Sequence, residues 1–136
     1  TYRNSVSIHI RRGDFLLKKN KNHQTDLGNY YSKAIREVSK NNYNLKFFLF
    51  TDDPKWVSKN FDIIDDKTLV NINPGKNSFL DMHLMSLCKF NIIANSSFSW
   101  WGAWLSNNKN IFAPKNWFND KSINIDDLIP STWITI

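Results

Sequence analysis

The sequence predicts one α/β domain, a parallel sheet covered by helices on both faces. Three observations predict it. Short apolar runs alternate with segments of helical periodicity, in the order β-α-β-α-β-α-β-α-β. No internal repeat or low-complexity linker interrupts that alternation. The chain has 136 residues, enough for one core and little more, and its 6 Trp, 10 Phe and 4 Tyr are the aromatic content of a chain that folds.

Residues 6–10 alternate apolar and polar side chains and stop at Arg11-Arg12-Gly13-Asp14, the pattern of a strand that ends in a loop. A polar stretch rich in Lys and Asn follows, to residue 27. Tyr31, Ala34, Ile35 and Val38 recur at helical spacing and predict a helix over 28–40. Residues 47–50 are a continuous apolar run, which reads as a strand buried on both faces. The run ends at Thr51-Asp52-Asp53-Pro54, where an Asp caps the short helix that Pro54 begins. Residues 61–66 and 68–73 read as short extended pieces, and Asn73-Pro74-Gly75-Lys76 as a turn. A helix is predicted over 78–90 with Leu80, Leu84, Leu87 and Cys88 on its apolar face. A strand at 91–94, an aromatic helix at 98–105 and a strand at 111–113 complete the pattern, and the tail from Trp117 reads as irregular.

The formal net charge of +6 suits an anionic partner such as nucleic acid, an acidic lipid surface or a phosphorylated ligand. Most of the basic residues are Lys, almost all the acids are Asp, and Asn is abundant, so a compositional bias explains much of the charge. The few Arg therefore carry more information, and two of them stand together at Arg11-Arg12. The single cysteine, Cys88, excludes an internal disulfide and reads as a buried core thiol. It and the 3 His show no metal-site spacing. No stretch approaches the ~20 apolar residues of a membrane helix, and no secretory leader is expected.

In open parallel sheets, ligands bind beyond the carboxyl ends of the strands. Three polar clusters follow predicted strands and would share that edge: residues 9–14, Thr51-Asp52-Asp53 and Asn95-Ser96-Ser97. The guanidinium forks of Arg11 and Arg12 suit phosphate oxygens, with Gly13 allowing a close turn or a positive φ and Asp14 steadying one fork. An Arg12–Asp14 ion pair that only stabilises the loop explains the same residues. The serines at the strand-to-helix turn build an anion site from helix N–H groups, or a plain N-cap. Asp52-Asp53 reads as a cap rather than a metal pair. Asp81 can satisfy a helix N-terminus, and Trp100, Trp101 and Trp104 read mainly as a helix face packed into the core.

Four segments together resemble a known family. They are His9-Ile10-Arg11-Arg12-Gly13-Asp14, Phe50-Thr51-Asp52-Asp53, Asp81-Met82-His83-Leu84-Met85-Ser86, and the run from Asn95 through Ser97, Trp100 and Trp104 to Leu105. In order and approximate spacing they are similar to the family 11 glycosyltransferases, GDP-L-fucose-dependent α-1,2-fucosyltransferases. The first segment is shared in looser form with α-1,6- and protein O-fucosyltransferases, and the last makes the likeness specific. The resemblance implies a Rossmann-like sheet that is one half of a GT-B architecture, inverting chemistry, and no cofactor or metal. It implies GDP-L-fucose as donor and a galactose-containing glycan as acceptor. Carried onto this chain, His9 and Asp81 contact guanine, while Arg11 and Ser97, or the adjacent Ser96, contact the β-phosphate. Arg12 and Asp14 complete the donor site, and Arg11 is the catalytic residue. Family members are roughly twice as long, so residues 1–136 are expected to be the donor-binding half. The acceptor-side half is then absent, and this chain alone is expected to bind GDP weakly or not at all and to transfer no fucose detectably. The other expectation weighed is a basic nucleotide- or nucleic-acid-binding module without transferase activity; for the transferase, no nucleic-acid partner is expected. The expected location is cytoplasmic, with peripheral association at the inner face of a bacterial membrane left open.

Overall fold

The protein is described from a computed structural model, which covers residues 3–13, 16–17 and 27–136. Strand β1 (Ser5–Ile10) leads to helix α1 (Gly28–Ser39), β2 (Lys46–Thr51), α2 (Pro54–Asn60) and β3 (Lys67–Val70). A 3-10 turn at Gly75–Asn77 then precedes α3 (Phe79–Ser86), β4 (Phe90–Ile92), α4 (Ser97–Leu105), β5 (Ile111–Ala113) and β6 (Ile134–Thr135). The strands form one sheet in the order β3-β2-β1-β4-β5-β6. Every pairing is parallel. The chain winds outward from β1 to β3, then returns to place β4 on the other side of β1. That reversal is a topological switch point, where the loops after β1 and β4 part and leave a crevice.

The two faces of the sheet carry different cores. Val6, Ile8 and Ile10 of β1 pack with Tyr30, Tyr31, Ala34 and Val38 of α1, Val57 of α2, and Ile92 and Phe112 of the neighbouring strands. Ile93, Ala103, Ile111, Ala113, Trp117, Ile129 and Trp133 form a second cluster. The polar residues of β1 are buried as well. Ser5 accepts from the Lys89 N–H, and Ser7 Oγ accepts from Asn91 Nδ2 at 2.7 Å. Asn91 Nδ2 also donates to the Met85 carbonyl at 2.8 Å, which ties β4 to α3. The alternation in β1 thus marks an apolar face and a hydrogen-bonded polar face, neither of them wet.

Local chemistry sets the start of α2 as expected. Asp53 caps α2 by accepting from the Trp56 N–H at 3.1 Å, with Pro54 in the first turn. Four expectations need correction. The helix predicted over 78–90 stops at Ser86 because Phe90–Ile92 is drawn into the sheet beside β1. Its inward residues are Met85 and Cys88, while Leu80 and Leu87 face out. Residues 61–66 form no strand; Phe61 and Ile64 instead anchor a loop in the first cluster. In the tail, Ile134–Thr135 pairs with β5. Of the run at 47–50, only Leu49 and Phe50 are buried.

Candidate donor site

A cleft of about 440 Å³ opens at the carboxyl ends of β1, β2 and β3. His9, Arg11, Asp52, Asn73, Asp81 and Phe98 are among the residues that line it. They come from five separate stretches of chain. His9, Arg11 and Asp81, singled out in the sequence, therefore meet at one place.

The register of β1 and β2 builds the first wall. Ile10 is paired with Thr51, so Arg11 and Asp52 are the next residues on adjacent strands. Asp52 Oδ1 accepts from the Arg12 N–H at 2.9 Å and Oδ2 accepts from the Gly13 N–H at 2.8 Å. The same carboxylate pairs with Arg11 Nε at 3.3 Å. A Cβ on Gly13 would lie 2.7 Å from Asp52 Oδ2. Glycine is required by that close approach. Gly13 has no positive φ; among the described residues Gly75 is the glycine that does. The steadying role expected of Asp14 lies outside the described residues. Asp52 holds Arg11, and Asp53 Oδ2 sits 3.5 Å from Arg12 Nε.

Arg12 takes a different place from Arg11. Its guanidinium carbon stacks 3.7 Å above the Trp56 ring, and it does not line the cleft. Its Nε is buried, and the 3.5 Å approach to Asp53 is an ion pair without hydrogen-bond geometry. Stacking and charge hold the side chain against α2.

His9 is buried beneath Phe98, with ring centroids 5.4 Å apart. Its carbonyl accepts from Tyr31 Oη at 3.0 Å, which fixes the backbone. Burial, and then the neighbouring Arg11 charge, lower the imidazole pKa to about 3. The ring is therefore neutral at physiological pH, with one nitrogen a donor and the other an acceptor. Its Nδ1 is buried and has no hydrogen-bond partner among the described residues.

Asp81 lies in the first turn of α3, where the helix dipole favours a carboxylate, and accepts from Asn73 Nδ2 at 2.7 Å. Ser96 is the N-cap residue of α4: it is buried, extended, and makes no side-chain cap bond. Its carbonyl accepts the Trp100 N–H at 2.9 Å. Ser97 is the exposed first residue of the helix. Neither serine lines the cleft, whereas the next residue, Phe98, does. Trp100 packs beside the second core cluster and donates from Nε1 to the Leu128 carbonyl at 2.8 Å. Trp101 and Trp104 are half exposed, so most of the tryptophan face is not core. Asn73, which the sequence offers only as part of a turn, lines the cleft, as does Asp52 of the polar cluster placed at this edge.

Comparison with known proteins places these features in a family. The model for glycosyl transferase family 11 matches residues 1–136. An α-1,2-colitosyltransferase of Escherichia coli is 42% identical over 138 residues, covering 98% of this chain and 48% of that protein. The O-antigen biosynthesis glycosyltransferase WbnK, also of Escherichia coli, is 40% identical over 139 residues, covering 98% of this chain and 45% of that protein. The chain thus spans about half the length of these relatives. Among solved structures, NodZ α-1,6-fucosyltransferase soaked with GDP-fucose aligns with a TM-score of 0.52 at 20% identity. The alignment covers 76% of this chain and 37% of that one, and the likeness is one of fold.

Proposed function

The chain belongs to glycosyl transferase family 11, and from that premise we propose that it is the donor-binding half of an inverting, metal-independent α-1,2-fucosyltransferase of GT-B architecture. The donor is GDP-L-fucose and the acceptor a hydroxyl of a galactose-containing glycan. The observation that carries this reading is the meeting of His9, Arg11 and Asp81 in one cleft at the carboxyl edge of the sheet. Asp81 accepts the N–H donors of guanine, and neutral His9 supplies an uncharged hydrogen bond. Arg11 takes the β-phosphate. As the sugar–oxygen bond breaks, positive charge grows on the sugar ring and negative charge on the β-phosphate. Arg11, pre-positioned by Asp52, stabilises the phosphate charge beside the N-terminus of α4, the task a divalent ion performs in metal-dependent transfer. The proposed setting is the cytoplasmic side of a bacterial membrane.

Calorimetric titration with GDP and GDP-fucose tests the reading. Arg11→Ala should weaken binding of GDP and, in the active enzyme, lower kcat by about 10²–10³. Unchanged affinity in Arg11→Ala would remove Arg11 from the site. A second donor has one observation in its favour, the identity to a colitosyltransferase. Colitose is L-fucose without its 3-hydroxyl, so the two GDP-sugars differ by a single polar group. A site that hydrogen-bonds this hydroxyl discriminates strongly against the sugar lacking it. The ratio of kcat/KM for the two donors decides between them.

A further inference from the structure

We propose that Asn73 is a positioning residue for the base of the donor: it holds the Asp81 carboxylate in the orientation that accepts two N–H donors on one edge of guanine. This role rests on Asp81 contacting the base, as in the proposed function. Asn73 and Asp81 both line the cleft, and Asn73 Nδ2 donates to Asp81 Oδ1 at 2.7 Å. The loop between β3 and α3 brings them together. Pro74 follows Asn73 and keeps the Asn73 backbone away from the α region. Gly75 takes a φ of 62°, and a 3-10 turn over Gly75–Asn77 leads into α3. A side chain from the start of the loop thus reaches a side chain on the helix at its end.

Asp81 is not occupied by its own helix. It is the third residue of α3, the place from which an acidic side chain commonly reaches back to the N-cap N–H. That N–H, on Ser78, already donates to the Gly75 carbonyl at 3.1 Å. Among the described residues, Asn73 is the hydrogen-bond donor to the Asp81 side chain. A carboxylate can accept about four hydrogen bonds, so one is filled and the others remain for a ligand. Guanine suits what remains. Its N1–H and 2-amino group lie side by side and match the two oxygens of one carboxylate. Inosine lacks the 2-amino group, and adenine turns an N1 lone pair toward the same oxygens. Two parallel bonds need the carboxylate plane fixed, whereas an untethered Asp spreads over several rotamers. The Asn73 amide fixes that plane with a neutral donor and leaves the carboxylate its full charge.

Calorimetry on the active enzyme with GDP and inosine diphosphate tests this, whichever sugar the donor carries. The parent should prefer GDP by about 10–100-fold, the worth of one hydrogen bond to a charged group. Asn73→Ala should weaken GDP binding roughly tenfold and bring the preference below about threefold. Asn73→Asp keeps the size of the side chain and loses the donor. It should match Asn73→Ala at about pH 8 and regain affinity, relative to the parent, toward about pH 5.5, where the two carboxylates share a proton that replaces the amide N–H. Far-UV circular dichroism reports that the variants fold. A bond that only stiffens the loop would weaken both nucleotides alike in Asn73→Ala and leave the preference intact. That result, with the preference lost in Asp81→Ala, overturns the role of Asn73 and keeps Asp81 at the base. A loss in Asn73→Asp that is the same at every pH overturns it too. Equal binding of the two nucleotides by the parent, or a preference that Asp81→Ala retains, would place the base elsewhere, and the role of Asn73 would fall with that of Asp81.

Discussion

Asp52 places one carboxylate against two backbone N–H groups and one guanidinium, so the loop after β1 takes its shape from the residue that follows β2. Gly13 and Asp52 then act as one device. Asp52→Ala leaves two N–H groups without their acceptor and frees Arg11, and should cost about 1–2 kcal/mol of stability. Gly13→Ala drives a Cβ into Asp52 Oδ2 and should give the same loss by displacing the carboxylate. Because both changes break one contact set, their costs should not add in the double variant. Urea unfolding of the four proteins measures this, and simple additivity would show that the residues act separately. In the sequence Asp52 is visible as a cap and as part of a polar cluster at the carboxyl edge, but its hold on the loop after β1 is not, since its partner lies 40 residues away; the pairing of Ile10 with Thr51 is what reveals it. His9 makes a second prediction. The folded imidazole is held at about 3 against its ordinary 6.5, so below pH 6.5 the unfolded chain takes up a proton that the folded chain refuses. The stability tied to this neutral ring is whole above pH 6.5 and falls as pH drops toward 3, by at most about 1.4 kcal/mol per pH unit. His9→Gln should flatten that part of the slope in unfolding measured between pH 7 and pH 5. An identical slope in parent and variant would count against a buried neutral His9.

At the scale of elements, α1 is held by hydrogen bonds as well as by its apolar stripe. Tyr30 Oη lies 2.7 Å from the Ile93 carbonyl and 2.8 Å from the Phe112 carbonyl, so one hydroxyl hydrogen is shared between the ends of β4 and β5. The adjacent Tyr31 reaches the carbonyl of His9 at the end of β1. Two successive tyrosines thus pin a helix across the carboxyl edge that carries the cleft. Tyr30→Phe keeps the ring and removes only the hydroxyl. It should destabilise by about 1–3 kcal/mol, because the buried Ile93 carbonyl loses this donor and the Phe112 carbonyl keeps only the Ile93 N–H, and chemical denaturation reads the difference. A change below a few tenths would show that water reaches those carbonyls. The helical spacing of Tyr31, Ala34 and Val38 is legible in the sequence; the reach of the hydroxyls is not, since it depends on strands 63 and 82 residues away. Helix α3 shows the limit of periodicity. Leu80, Leu84 and Leu87 look like an inward stripe, but β1 recruits Phe90–Ile92 as a strand and the shortened helix turns Met85 inward. Local apolar spacing cannot show which face a neighbouring strand will claim.

Across the whole molecule, alternation of elements makes the fold class legible, and the polar ends of the strands make most of the cleft legible. The strand order is less so, because nothing local in β4 says that it pairs with β1 rather than β3. That pairing puts the switch point between β1 and β4, and it also joins the two cores. Ile92 and Ile93 are consecutive, yet the first belongs to the α1–α2 cluster and the second to the cluster with Trp117 and Trp133. In β5, Phe112 faces one cluster while Ile111 and Ala113 face the other. Neither core can lose its strands without opening the other. Asn91 reinforces the junction, donating to Ser7 and to the Met85 carbonyl and accepting from Asn108 Nδ2 at 3.0 Å. The described chain should therefore unfold in one cooperative step. Trp100, Trp117 and Trp133 report on the second cluster, so a Trp56→Phe background removes the tryptophan beside the first. In that background, the urea midpoint by tryptophan emission should coincide with the midpoint by far-UV circular dichroism. A fluorescence transition complete before the dichroism begins to change would mean that the second cluster melts alone, and that β4 and β5 do not couple the two faces.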